Sequence, residues 1–368
     1  MNDKREERPV TIRSGSSIWT KLALLFGSLA VALVVFEFGF RILGVSGVYH
    51  EPRRGCWWPM EQGPTETAPG RFVPFGTIQY TYSSDPRGYF GSSQTIDLVH
   101  NSEGWRDMEH SIKNPSGTYR ILGLGDSYLW GEGVKREDIC LTKLGPLISA
   151  VCGRPIETIN TGYAGLDTIA ERDILRHFGL RYEPDLVILF FVPNDVVIHW
   201  HSGPKIEFFR EFHTIYESPD WFSGYSYLWS WGRQRVLREI SARAYIRQCV
   251  GTFHEDDEDW KACRAALGDI QRMCRDNNIS FMVAMFPFFH NLDGDYPFQP
   301  VHDAVRAYCE QKAIHFLELR EHYRSFHGPE LWAHPTDQHP NEIAHGIAAQ
   351  AIADYLKRHP GLLECPNR

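Results

Sequence analysis

The chain has 368 residues, 43% of them hydrophobic and 23% charged, a composition that excludes wholesale disorder and allows one large domain with additions. A net charge of −8 gives no electrostatic reason to expect nucleic acid as a partner. The sequence holds no long internal repeat and no low-complexity tract.

Residues 1–21 read as a short cytoplasmic tail with Lys4, Arg5, Arg8, Arg13 and Lys21. Residues 22–40, "LALLFGSLAVALVVFEFGF", then contain a single charge, Glu37. With its flank to residue 43 this run matches the roughly 20 residues that a helix needs to cross a bilayer. No face of it is polar, which argues against a buried soluble helix. The competing reading is a cleaved signal peptide, with Val45 and Gly47 as a small-residue cleavage site, although such apolar regions run to roughly 7–15 residues. The basic residues ahead of the run outnumber Arg41, Arg53 and Arg54 behind it, so the expected topology is single-pass. The N-terminus is then cytoplasmic, and everything after residue 43 is periplasmic or extracellular. Glu37 and Arg41, one turn apart near the exit end, are expected to satisfy each other.

An exported chain with eight cysteines raises the question of disulfides. Cys263 and Cys274 fall on one helical pattern, about 16 Å apart along its axis and beyond bridging distance. Cys140 and Cys152 meet the same objection if their helix is continuous. Most of the cysteines sit among apolar helical positions, and no bridge is expected.

Residues 44–118 read as a linker and N-terminal extension rich in Gly, Pro, Ser and aromatics, with short strands such as "FGTIQYTY" and a turn at "NSEGWRD". From residue 119 the pattern becomes strand and helix in alternation. "YRILGL", "IETIN", "DLVILFFV", "ISFMVAMF" and "IHFLEL" are short and dominated by apolar residues, and continuous apolar strands are what a sheet covered on both faces requires. "WKACRAALGDIQRMC" places Trp260, Cys263, Leu267, Ile270 and Cys274 on one stripe behind an acidic helix start. "NEIAHGIAAQAIADYLKRH" places Ile343, Ile347, Ala351 and Tyr355 on another. The pattern predicts a doubly wound parallel α/β domain over residues 119–358, whose ligands bind at the C-terminal strand ends, followed by a tail over 359–368. Residues 198–254 interrupt it with a run of aromatics, among them Trp200, Phe208, Phe209, Phe212, Tyr216, Trp221, Phe222, Tyr225, Trp229 and Trp231. That insertion reads as a lid, a sugar-stacking surface, a patch leaning on the membrane, or a helical excursion packing its own aromatics.

Chemistry is concentrated at strand ends. "GLGDSYLWGEG" follows the first parallel strand, and its glycine density implies turns that side chains would forbid. Ser127 would be displayed there as a nucleophile, which needs a base held by a third group. After the next strands, "TGYAGLDT" offers the Gly165 N–H and "PND" offers the Asn194 amide, together a competent oxyanion hole. In "HPTDQHPNEIAH", Asp337 can accept the Nδ1 proton of His339 and leave Nε2 as the base facing Ser127. His334 and His345 are rivals; His345 falls inside a helix and reads as a surface or packing residue. Neither the His199/His201 set nor the His334/His339 set has metal-ligand spacing, so no metal or other cofactor is expected.

These four blocks, Ser127 in "GDS", Gly165 in "NTGYAG", Asn194 in "PND" and His339 in "DQHPN", resemble in order and strand position those of the SGNH (GDSL-type) hydrolase family. The resemblance covers residues 119–358. It implies a flavodoxin-like three-layer α/β/α fold with a five-stranded parallel sheet, and serine esterase or acyl-transfer chemistry. Ser127, His339 and Asp337 would be catalytic, and the Ser127 N–H, Gly165 N–H and Asn194 would hold the oxyanion. Two departures stand out. Thr336 occupies the family's Asp-x-x-His position, so the carboxylate comes two residues before the histidine, and Pro193 replaces the glycine of the Asn block. The leading expectation is a membrane-anchored esterase acting on acyl, for example acetyl, esters of a cell-envelope carbohydrate or lipid. The alternatives are an O-acyltransferase for an envelope polysaccharide and a non-catalytic envelope binding protein.

Overall fold

A computed structural model describes residues 17–43, 74–82, 85–196, 221–254, 256–292, 294–335 and 337–363. The basic tail ahead of residue 17, the cleavage candidates Val45 and Gly47, Arg53, Arg54, the aromatics between Trp200 and Tyr216, His199, His201 and Thr336 lie outside the described residues. The chain divides into two units, Met1–Val48 with Thr214–Ile240, and Tyr49–His213 with Ser241–Arg368.

In the first unit, helix α1 (Ile18–Leu43) buries none of its residues and is long and apolar enough to cross a membrane. In the second, β1 (Thr77–Thr81) and β2 (Thr95–Val99) pair antiparallel, and alternate residues Ile78, Tyr80, Ile96 and Leu98 are buried. The described residues of the extension thus contribute to the core of this unit, through Ile78, Tyr80, Tyr82, Phe90, Ile96, Leu98 and Trp105.

The main body then runs through β3 (Tyr119–Gly125), the four-residue helix α2 (Ser127–Trp130), α3 (Cys140–Cys152), β4 (Ile156–Asn160), α4 (Thr168–His177) and β5 (Leu186–Phe191). The chain continues with α5 (Tyr227–Gly251), whose residues to Ile240 belong to the first unit, and then α6 (Glu258–Asp276), β6 (Ser280–Met285), α7 (Gln299–Gln311), β7 (His315–Glu318), β8 (Trp332–His334), β9 (Asp337–Pro340) and α8 (Glu342–Arg358). The five expected strands form one parallel sheet in the order β4-β3-β5-β6-β7. That order is flavodoxin-like, with its switch point between β3 and β5. Every residue of β3 and β5 is buried, which is why these strands read as unbroken apolar runs. Helices α3 and α8 pack together, as do α4 and α6, giving a three-layer α/β/α body. Asp257 caps α6 by accepting the N–H groups of Asp259 and Trp260, and Trp260, Cys263, Leu267, Ile270 and Cys274 form its buried stripe, as the pattern implies.

Two expectations are corrected. On α8 the buried face is centred on Ala344, Ala348, Ile352 and Leu356; of the expected stripe Ala351 is buried, Ile347 and Tyr355 are half-buried against the core, and Ile343 is 45% exposed. Alanine adds little apolar bulk to a pattern, so bulk alone places the centre of the face one residue off. Second, Cys152 is disulfide-bonded. Helix α3 is continuous, so the objection to a Cys140–Cys152 bridge holds. The partner lies outside the described residues, as do Cys56 and Cys365. Cys140, Cys249, Cys263, Cys274 and Cys309 are free and buried.

Candidate active site

At the C-terminal end of β3 the chain turns at Asp126, whose Oδ1 accepts the Tyr128 N–H at 2.8 Å and caps α2. Ser127 opens that helix. The helix stops after one turn at Gly131, and Gly133 follows at φ +79°. A Cβ on Gly133 would lie 2.5 Å from Ala333 Cβ and 3.2 Å from Asp337 Oδ2, so glycine is what lets this turn approach the β8–β9 hairpin. The buried guanidinium of Arg106 donates to the carbonyls of Trp130 (2.8 Å), Gly131 and Val134, a cationic cap on the end of α2. Burial lowers its pKa to about 10, and it remains charged at neutral pH.

The partner groups come from β9, 212 residues away in sequence. His339 Nε2 lies 2.9 Å from Ser127 Oγ, and His339 Nδ1 lies 2.6 Å from Asp337 Oδ1. The two-residue spacing works because β9 is extended: residues i and i+2 of a strand project to one face, which sets carboxylate and imidazole side by side. Asp337 Oδ2 accepts the Tyr82 hydroxyl proton at 2.8 Å, so the orienting carboxylate is itself oriented from the segment after β1. A second carboxylate reaches the imidazole: Glu132 Oε2 stands 3.5 Å from His339 Nε2.

Burial alone would depress the pKa of His339. The charges of Glu132 and Asp337, the Asp337 hydrogen bond and the charge of Asp126 override it and raise the imidazolium to about 10. Asp337 moves the other way. Burial disfavours its charge, but the His339 cation and hydrogen bonds from His339 and Tyr82 hold it below the usual carboxylate range. Asp126 is pushed up to about 6 by burial, despite the Tyr128 N–H.

Asn194 follows β5, and its Nδ2 donates to Asp126 Oδ2 at 3.3 Å; the Ser127 hydroxyl is 3.4 Å from the same oxygen. Asp126 therefore ties the serine and asparagine blocks together. Gly165 sits in an exposed turn between β4 and α4, at φ +81°. The three blocks occupy the C-terminal ends of β3, β4 and β5, the switch point of the sheet. Beside His339 opens a cavity of about 280 Å³, walled by Tyr128, Tyr245, Ile246, Phe288, Phe289 and Phe298. Neither rival histidine shares this geometry. His334 is buried with its ring 5.1 Å from that of Tyr82. His345 is buried with Nδ1 accepting the Cys140 N–H at 3.2 Å, and burial lowers its pKa to about 3.

A sequence profile of the GDSL-like lipase/acylhydrolase family matches residues 124–347, more than half of the chain. The chain belongs to this family. As a GDSL-type acylhydrolase it is an enzyme acting on ester bonds. No curated protein matches it by sequence. Among solved structures it is similar to TesA, at 12% identity over 65% of this chain and 98% of that one, with a TM-score of 0.42. It is also similar to the psychrotrophic esterase EstA from Pseudoalteromonas sp. (15% identity, 66% and 98% covered, TM-score 0.40). A third is the acetylxylan esterase Axe2 from Geobacillus stearothermophilus (12% identity, 65% and 94% covered, TM-score 0.42).

Glu132, Asp337 and His339 bring ligand atoms within 4.8 Å of one another, a spacing that a cation would accept. Both imidazole nitrogens have hydrogen-bond partners, Asp337 at Nδ1 and Ser127 at Nε2. Sequence reasoning found Ser127, Asp337 and His339 but not Tyr82, Arg106, Asp126 or Glu132. Asp126 and Glu132 lie inside the glycine-rich motif, where flanking residues pass as turn formers. Tyr82 and Arg106 come from the extension, where no local pattern marks them.

Proposed function

We propose that this acylhydrolase is a membrane-anchored, extracytoplasmic serine esterase that removes short acyl groups from a cell-envelope carbohydrate or lipid. The observation that carries the chemistry is the continuous contact from Ser127 Oγ through His339 to Asp337, at 2.9 and 2.6 Å. Ser127 Oγ attacks the ester carbonyl as its proton passes to His339 Nε2, and Asp337 holds Nδ1–H and the charge that develops on the ring. The Ser127 and Gly165 N–H groups and the Asn194 amide would receive the oxyanion; Pro193 has no N–H to add. The imidazolium then returns its proton to the leaving alcohol. Water, activated by the same nitrogen, cleaves the acyl-enzyme and releases the acid and free Ser127.

An aromatic cavity of about 280 Å³ beside His339 favours a short acyl group, since it falls at the low end of small-molecule pockets. Two features support export. Helix α1 has the length and composition of a span. The disulfide at Cys152 is a bond that persists in oxidising compartments and is rare in the cytosol.

A panel of acetyl, butyryl and dodecanoyl esters, assayed with the full chain, tests the chemistry. The expected result is preference for the two shorter esters and loss of turnover in Ser127→Ala and His339→Ala. Equal turnover by either variant would overturn the assignment. Preference for the dodecanoyl ester would overturn the short-acyl reading alone.

A further inference from the structure

Glu37 is the single charge within the apolar run of α1, and its partners extend beyond Arg41. One carboxylate oxygen, Oε2, accepts the Leu228 N–H at 2.9 Å and the Ser226 hydroxyl at 2.8 Å. The other, Oε1, accepts the Tyr227 N–H at 3.0 Å and the Arg41 guanidinium at 2.7 Å. Arg41 in turn donates to the Tyr225 carbonyl and lies 5.3 Å from the centroid of the Tyr227 ring. The pair thus satisfies free donors in the first turn of α5 and a carbonyl just before it. A carboxylate at a helix N-terminus is the favourable placement for an anion, and here it comes from a different helix. A charge in a spanning helix is costly unless a specific partner satisfies it.

The segment held this way has an unusual surface. Trp221 is 72% exposed, and Phe222, Tyr225, Trp229, Val236 and Ile240 are all more than half exposed. The Phe40 and Trp231 rings meet at 5.4 Å, and the Arg235 guanidinium lies 5.4 Å from the centroid of the Trp231 ring. Between α1 and the start of α5 lies a groove of about 900 Å³, lined by Leu33, Val34, Phe38, Trp229 and Val236. An exposed apolar patch of this kind marks an interaction surface. Its tryptophans, tyrosines and arginines are the side chains that settle at the boundary between headgroups and acyl chains. Glu37 lies six residues before the end of α1, about 9 Å along the axis, which is the depth of that boundary. The surface is continuous with α1 within one unit, so the occupant that fits both is the same lipid bilayer.

We propose that residues 221–240 are a second membrane-contacting element, locked to α1 by Glu37 and Arg41 and seated in the lipid interface. This rests on the reading of α1 as a retained anchor. The exposed rings and the groove then face lipid, and the aromatic insertion is in part a fixed interfacial element.

The test uses the full chain in phosphatidylcholine–phosphatidylglycerol vesicles, with photoreactive benzoylphenylalanine replacing Trp229 in one sample and Phe26, in mid-α1, in another. Lipid adducts are read by intact-mass spectrometry. Adducts at both positions are expected, with those at position 229 reduced at least fivefold by Glu37→Leu, those at position 26 unchanged and esterase turnover retained. Arg41→Gln is expected to cause a smaller reduction at position 229. Lipid adducts at 26 alone, or adducts at 229 to a second copy of the chain, would overturn the interfacial proposal and leave the anchor intact. Adducts at neither position would overturn both. Undiminished adducts at 229 in Glu37→Leu would overturn the Glu37 lock.

Discussion

The two sides of the Ser127–His339 hydrogen bond are built differently. On the serine side the backbone does the positioning: a fully buried strand, an Asp126 cap, a one-turn helix ended by left-handed Gly131, and the Arg106 cation on its last carbonyls. On the histidine side a two-stranded hairpin carries the ring together with Asp337, two residues before it, and two side chains come from elsewhere in the chain: Glu132 to the imidazole and Tyr82 to Asp337. The difference separates two properties. Where the hydroxyl sits is set by the backbone of β3 and α2, held at its two ends by the Asp126 and Arg106 side chains. How firmly the imidazole holds its proton is a matter of nearby charges, each of which can be changed alone.

Substitutions can break or sharpen this division. The largest effect is expected from Ser127→Ala, which removes the reacting atom and should lower kcat about 10⁴-fold or more with little change in thermal stability. Asp337→Asn comes next. An amide beside Nδ1 favours the wrong tautomer and no longer balances the imidazolium, so kcat/KM should fall on the order of 10³-fold. Glu132→Gln is expected to act on pH dependence. In the parent enzyme His339 holds its proton to about 10, so kcat/KM should rise with pH across the neutral and mildly alkaline range as the base form appears. Removing the Glu132 charge weakens the proton's hold and moves this limb to lower pH. Near neutrality the variant should therefore exceed the parent by about tenfold, with the alkaline plateaus similar. Tyr82→Phe removes one neutral donor from Asp337 and should cost about fivefold in kcat/KM. A pH–rate series on the last two variants distinguishes charge tuning from misfolding, since only the former displaces the limb.

The same division explains what could be read in advance. The central strands β3, β5 and β6 are legible as apolar runs buried on both faces, and the edge strands β4 and β7, which are more polar, are legible from their place in the strand–helix alternation. The meeting of Ser127, His339 and Asp337 is legible because the residue types able to serve as nucleophile, base and orienter are few and these three stand at strand ends. The two-residue spacing from Asp337 to His339 looked like a departure until β9 proved to be a strand. The buried face of α8 is only partly legible, Ala351 but not Ile343 being buried, because alanine contributes little to a hydrophobic stripe yet is favoured where helices touch closely. Glu37 was paired correctly with Arg41, but its larger commitment is to the start of α5, some 190 residues on, and no local pattern reports such a contact. Tyr82, Arg106 and the disulfide at Cys152 share that property: each depends on chain segments that only folding brings together.

The most direct measurement is covalent capture. The full chain is treated with an alkyl fluorophosphonate, and the modified residue is mapped by peptide mass spectrometry. One phosphonyl adduct on Ser127 is expected, formed faster as pH rises and lost in Ser127→Ala and His339→Ala. Absence of an adduct, or labelling of another residue that persists in Ser127→Ala, would contradict a nucleophile activated across the β3–β9 contact.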